Sequence, residues 1–189
     1  MKSKATPAPL RKSKSGPAKR KPDSNAPQPS VGANGSTRTS KLIVRDSPIH
    51  GRGVVAARAL EAGERICEYK GDRIGWPEAM RRHPHDPAQP FHTFYFSVDD
   101  DTVIDGNANG NIARWINHSC EPNCEADQVE IDGVTRIFIS ALVDIPAGEE
   151  VLYNYGLSLD ERYTPKLKKQ FECRCGSSKC TGTMLAPKR

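Results

Sequence analysis

No run of about 18 consecutive apolar residues occurs anywhere in the 189-residue chain, so neither a membrane-spanning helix nor a membrane partner is expected. The N-terminus also lacks the apolar core of a secretory signal, which leads us to expect a reducing interior at synthesis. Residues 1–41 have no aromatic residue, only Leu10 and Val31 as large aliphatics, and a single acid, Asp23, against ten lysines and arginines. With six prolines as well, such a stretch cannot bury enough surface to offset its ordering entropy and is read as a disordered basic tail. Its balance is +9 where the whole chain carries +5, which leaves −4 on residues 42–189. Four uses compete for the tail: nucleic-acid binding through phosphate contacts, a nuclear-import signal around Lys19-Arg20-Lys21, a substrate for the protein's own chemistry, and a solubilising arm.

The remaining residues are enough for one buried core. From Leu42 onward the texture is of short β-prone pieces punctuated by Gly, Pro and Asp. Leu42–Val44, Val54–Ala56, Arg65–Tyr69, Phe94–Val98, Thr102–Ile104, Ile137–Ile139 and Val151–Tyr153 read as strands. Helix signals are few: Trp76–Arg82, with Pro77 in its first turn and a stop at His83-Pro84, then one turn at Ile112–Ile116 and a third piece over Pro165–Phe171. The expected fold is mostly β, built of several small sheets. An internal echo links Leu60-Glu61-Ala62-Gly63 leading to Tyr69 with Ile145-Pro146-Ala147-Gly148 leading to Tyr153, two similar turn-and-strand units.

The chemistry concentrates in residues 114–124, Arg-Trp-Ile-Asn-His-Ser-Cys-Glu-Pro-Asn-Cys, where an apolar run stops in amides, an imidazole, a hydroxyl and two thiols. Asn117 and His118, just after Trp115-Ile116, are expected to be largely out of water, where an unpaired polar group costs about 1–3 kcal/mol. Backbone, metal or ligand must satisfy them. Cys173, Cys175 and Cys180 nearly close a tetrahedral zinc site, which wants a fourth ligand. Cys120, Cys124 and Cys67 are the remaining thiols, and the alternative is a set of disulfides. A fourth thiolate from the central block would turn the C-terminal segment into a lid over Asn117 and His118. The Gly51-Arg52-Gly53 loop, flanked by His50, could meet an anionic ligand but has no following helix, which argues against a dinucleotide loop. Tyr153 and Tyr155, by spacing alone, read as core tyrosines.

Taken together and in order, Ser47–Gly53, Glu68-Tyr69-Lys70-Gly71, Gly110–Cys124, Gly148–Gly156 and Cys173–Gly182 resemble SET-domain protein lysine methyltransferases with a post-SET zinc segment. The resemblance spans residues 42–186, and the Asn-His-Ser-Cys-x-Pro-Asn block with a Cys-x-Cys-x4-Cys tail is its most specific part. The wording is trithorax-like. The absence of a cysteine-rich pre-SET region looks like the small free-standing SET proteins of bacteria.

The resemblance implies a SET fold over residues 42–156 with a pseudoknot, a linker over 157–170 and a zinc-bound post-SET segment over 171–187. It implies S-adenosylmethionine as cofactor, held by His50, Arg52, Phe94, Tyr95, Asn117, His118 and Arg174, and zinc held by Cys120, Cys173, Cys175 and Cys180. Tyr155 matches the family's catalytic tyrosine, Tyr69 a tyrosine of its lysine channel, and Tyr153 its Phe/Tyr switch position, which implies mono- or dimethylation. Relatives often carry Tyr where this chain has Phe94, with Tyr95 one place later. A one-residue shift on a strand reverses the face, so the usual hydroxyl is expected to be absent from the cofactor or replaced.

The expected activity is methyl transfer to a lysine of a basic protein or histone-tail peptide, drawn to the acidic body and Asp99-Asp100-Asp101, by a monomer. Lys19 and Lys21 are candidate targets in cis. A competing reading is a catalytically weak chromatin or nucleic-acid binding module that works through its tail, and a third is a purely structural zinc protein. The tail suits a nuclear protein, a bacterial effector in a host nucleus, and a bacterial protein on the nucleoid alike.

Overall fold

The computed structural model describes residues 11–12, 40–82 and 94–188. Lys19-Arg20-Lys21, most of the tail and the helix stop at His83-Pro84 lie outside them. In chain order the strands are β1 (Arg11–Lys12), β2 (Leu42–Asp46), β3 (Arg52–Ala56), β4 (Arg65–Glu68), β5 (Asp72–Gly75) and β6 (Tyr95–Ser97). They continue with β7 (Thr102–Asp105), β8 (Asn117–His118), β9 (Cys124–Ile131), β10 (Val134–Ala141), β11 (Leu152–Tyr153) and β12 (Leu157–Ser158). Two short helices, α1 (Trp76–Arg82) and α2 (Pro165–Gln170), and a 3-10 turn over Ile112–Trp115 complete the described elements. The fold is therefore mostly β in several small sheets, as the short β-prone pieces indicate.

The hairpin of β2 and β3 closes around Gly51, whose φ of +47° suits a residue without Cβ, with the Ser47 N–H on the Gly51 carbonyl at 2.8 Å. Helix α1 carries Glu78 in its first turn and Arg81 and Arg82 in its last, the order that complements the helix dipole. Asn111 caps the 3-10 turn by accepting from the Ala113 N–H at 3.3 Å, and donates to the Glu68 carbonyl at 2.7 Å, which ties that turn to the end of β4.

The largest sheet has the order β4-β10-β9-β11-β8. Its spine is the hairpin of β9 and β10, turned by Asp132-Gly133 with φ of +50° and +74°, the conformation a two-residue hairpin turn requires. Strand β11 then inserts between β9 and β8 and runs parallel to both, Leu152 opposite Asn117, Tyr153 opposite His118 and Cys124. This interleaving is the crossing a pseudoknot demands. Asn123 locks it, accepting from the Leu152 N–H at 2.8 Å and donating to the Glu150 carbonyl at 2.8 Å.

The two echoing units pair with each other. Leu60 and Ile145 exchange both backbone hydrogen bonds at 2.9 Å, and Gly63 and Gly148 hold φ of +80° and +87° at equivalent places. Leu60 and Ile145 join Val54, Ile116, Ile137, Ile139 and Val151 in the main core, while Leu157, Leu159, Leu167, Phe171 and Leu185 form a second one. The second core gathers residues 157–185 on themselves, and Tyr155 packs against both cores and so joins them.

Candidate active site and metal centre

The central block delivers its side chains because the backbone around it is already spent on β11. Asn117 is buried, and its Nδ2 donates to the carbonyls of His50 (3.3 Å) and Arg52 (3.0 Å) and to Glu150 Oε1 (2.9 Å). Glu150 Oε2 in turn accepts from the Ser47 hydroxyl at 2.9 Å. One amide and one carboxylate thus fasten the glycine loop to the central block. A Cβ at Gly53 would collide with the Glu150 carboxylate and press within 2.9 Å of Ser47 Cβ, so the second glycine is needed for this close approach. Glu150 carries no role in the sequence reading, because its partner Ser47 lies 103 residues away.

Asn117 Oδ1 receives no hydrogen bond among the described residues. Trp76 Nε1 is the sole buried side-chain polar atom without a partner among them, so Oδ1 is open to solvent. Nearby, the Arg52 and Arg114 guanidiniums stand 5.0 and 4.5 Å from the Trp115 ring centroid, and Phe94 meets the same ring edge-on at 4.9 Å. An amide acceptor without a partner among the described residues suits the ammonium of an amino acid, which fits the methionine end of S-adenosylmethionine.

His118 is buried, and its Nδ1 accepts the Tyr155 backbone N–H at 3.0 Å. Tyr155 donates its hydroxyl to the Ile116 carbonyl at 2.8 Å and packs against Tyr153, with centroids 5.0 Å apart. Phe96 bridges Tyr153 to Tyr69 at 6.3 and 5.3 Å, and Tyr69 donates to the Phe94 carbonyl at 2.7 Å. Burial is the main cause that pushes all three phenols well above the ordinary tyrosine range. They remain neutral at physiological pH.

The structure thus brings Tyr69, Tyr153, Tyr155, Asn117, His118, Arg52 and the His50 carbonyl into neighbouring positions around the crossing. It adds Phe96, which the alternation of β6 places on the opposite face from Tyr95. Tyr95 is not brought there: its hydroxyl donates to the Ala79 carbonyl at 3.0 Å and it packs with Ala79 and Val103 under α1. Arg174 lies on the surface, paired with Glu172 at 3.1 Å.

The Sγ atoms of Cys120, Cys173, Cys175 and Cys180 all lie within 4.8 Å of one another, with Cys120 and Cys173 3.7 Å apart. Four thiolates about 2.3 Å from a tetrahedral zinc are about 3.8 Å apart, so the cluster fits that ion. Backbone N–H groups of Thr181 and Gly182 donate to the sulfurs of Cys120 (3.5 Å) and Cys180 (3.4 Å), a polar shell suited to thiolates. Cys67 and Cys124 are free thiols elsewhere, both pushed by burial to about 12 and so inert.

This fold, with a threaded strand and a sulfur cluster over a tyrosine-lined crossing, defines the SET class. The SET domain family model matches residues 51–156, and the chain belongs to the SET domain family. It is 39% identical over 149 residues to histone-lysine N-methyltransferase trithorax of Drosophila virilis, covering 76% of this chain and 4% of that protein. To the H3 lysine-4 specific histone-lysine N-methyltransferase of Eremothecium gossypii it is 41% identical over 146 residues, 77% of this chain and 15% of that protein. A solved structure, ctPRC2 in an autoinhibited conformation bound to S-adenosylmethionine, superposes with a TM-score of 0.58 and 30% identity over 62% of this chain and 15% of that one. The chain therefore spans only a small part of these relatives. Among the described residues no helix is long and apolar enough to cross a membrane.

Proposed function

We propose that the protein is a protein-lysine N-methyltransferase that moves methyl groups from S-adenosylmethionine to a lysine of a basic, histone-tail-like protein, stopping at mono- or dimethylation. One observation carries this reading: Tyr155 is pinned by hydroxyl and backbone to two residues of the central block, Ile116 and His118, inside a cluster of neutral phenols. The similarity to proteins named histone-lysine N-methyltransferases supports it.

S-adenosylmethionine, when bound, supplies a methyl group activated by a sulfonium. We assign its holding to His50, Arg52, Phe94, Asn117, His118 and Arg174, and leave Tyr95 out because its hydroxyl is committed to Ala79. An acceptor lysine has an ordinary pKa of about 10.4, so at pH 7 the neutral amine costs about 4–5 kcal/mol. The apolar faces of Tyr69, Phe96, Tyr153 and Tyr155 favour that neutral form by keeping water from the ammonium. With their phenols held protonated, the tyrosines orient the amine by dipole and contact rather than by taking its proton, which leaves to water. Alignment then carries most of the remaining rate.

A zinc held by Cys120, Cys173, Cys175 and Cys180 would be structural, since four thiolate ligands would leave it no open position for a reacting water. Calorimetric titration with S-adenosylmethionine, and with S-adenosylmethionine plus an H3-tail peptide, tests the reading. Binding of the donor by the wild type and its loss in Asn117→Ala are expected; no binding by the zinc-loaded wild type would contradict it.

A further inference from the structure

The tail is not wholly detached from the body. Strand β1 pairs antiparallel with β12, Arg11 opposite Ser158 and Lys12 opposite Leu157, and lies beside β6 as well. Strand β6 is the outer strand of the sheet β5-β7-β6, so β1 runs through a cleft between one sheet edge and the strand that follows Tyr155. Leu157 turns its carbonyl the other way, to the Ala186 N–H at 2.7 Å. Alternation along a strand therefore turns the backbone N–H and C=O of Ser158 towards Arg11. The antiparallel register sends increasing tail numbers from Ser158 towards Tyr155.

Both walls of the cleft end in acids. Asp99, Asp100 and Asp101 follow β6, Asp160 and Glu161 follow β12, and all five are exposed. The tail brings ten cations against one acid. An edge that pairs with any extended chain through its backbone, flanked by carboxylates, selects basic peptides by charge and leaves side chains free to enter pockets alternately.

We propose that the chain's own segment around Arg11–Lys12 is a cis ligand of this cleft, adding a strand to β12, and that a lysine of that segment is a methyl acceptor. This rests on the methyltransferase reading. In the transfer, the neutral lysine nitrogen uses its lone pair to form the N–C bond as the C–S bond of the sulfonium donor breaks. Sulfur keeps that electron pair to become a neutral thioether, and the nitrogen loses a proton to water. The segment also competes with any other basic peptide, so the protein both methylates and shields itself. The lysines of the segment are Lys12 and Lys14, rather than the Lys19 and Lys21 suggested by tail composition.

The test uses the full chain, zinc-loaded, as wild type, Arg11→Pro and Arg11→Ala. Proline removes the Arg11 N–H at the position opposite Ser158, whereas alanine keeps it. Amide hydrogen exchange without donor should show Ser158 protected in wild type and Arg11→Ala and exchanging at least ten-fold faster in Arg11→Pro. With donor, tandem mass spectrometry should place methyl on Lys12 or Lys14 at a rate per molecule independent of protein concentration. The KM for an H3-tail peptide should fall several-fold in Arg11→Pro alone. Unchanged Ser158 exchange and peptide KM in Arg11→Pro, in a chain that still methylates the peptide, overturn the inference and leave the function standing. Tail-dependent protection of Ser158 in a chain that methylates neither peptide nor tail overturns the function reading, and with it the acceptor lysine, while the docked strand stands.

Discussion

His118 Nε2 lies 3.5 Å from Cys120 Sγ, while Nδ1 of the same ring accepts the Tyr155 N–H at 3.0 Å. Because Nδ1 is an acceptor, the ring proton of the neutral imidazole sits on Nε2 and points at the sulfur. One imidazole therefore links the sulfur cluster to the backbone of the tyrosine at the crossing.

Removing the metal should reach Tyr155 through that ring. Treatment with a chelator is expected to release one zinc per chain and abolish methyl transfer, with recovery on adding zinc. The second core around Phe171, Leu167 and Leu185 should keep the C-terminal segment partly folded. Hydrogen exchange is the check: faster exchange at residues 172–183 and at Tyr155, with β9 and β10 unchanged.

The Asn117–Glu150 pair fastens the glycine loop, so breaking it should cost both stability and donor affinity. Asn117→Ala removes the donor that the Glu150 carboxylate and the His50 and Arg52 carbonyls share. A loss of about 2–3 kcal/mol in unfolding free energy is expected from urea titration. Gly53→Ala should behave similarly, through collision with Glu150.

The two tyrosines of β11 and its extension should separate by kinetics. Tyr155→Phe loses the hydroxyl bond to Ile116 and is expected to lower kcat about 100-fold with little change in peptide KM, as a misaligned acceptor would. Tyr153→Phe removes a buried hydroxyl beside the channel and should raise the product from mono- or dimethyllysine towards trimethyllysine by mass spectrometry. Efficient trimethylation by the wild type would contradict the role given to Tyr153.

Acid stability has an identifiable contributor. Hydrogen bonds from Arg58 and then Lys41 hold the Glu64 carboxyl at about 2, against an ordinary 4.5. A value lower in the folded state means a contribution fully present above pH 4.5 and lost as pH falls towards 2. Glu64→Gln should flatten the pH dependence of the urea midpoint across that window and converge with wild type at its acid end. Added salt should shrink the difference, since the Arg58 side chain is 47% exposed.

Much of the architecture was legible because apolar β-branched runs such as Leu42–Val44 and Thr102–Ile104 stand between turn residues. Strands β1, β5, β8, β9 and β12 were not, and of β10 only its middle, Ile137–Ile139, was. Cys124–Ile131 mixes Glu125, Asp127, Gln128 and Glu130 into a strand held more by pairing with β10 than by burial. The Asp132-Gly133 turn was the signal available for it. At the site, the residue pattern alone left the fourth sulfur open among Cys120, Cys124 and Cys67, because ligand closure is a tertiary fact. Phe96 could have been found from the period of β6, as the residue sharing a face with Phe94. Glu150 could not, since its meaning depends on Ser47 and Asn117 arriving from distant segments.

The most direct test is mass spectrometry of an H3-tail peptide incubated with the zinc-loaded chain and S-adenosylmethionine, with Tyr155→Phe alongside. The account predicts mono- and dimethyllysine in the peptide with wild type and a deep loss with the variant. An unmodified peptide from a folded, donor-bound wild type, or equal product from Tyr155→Phe, would contradict it.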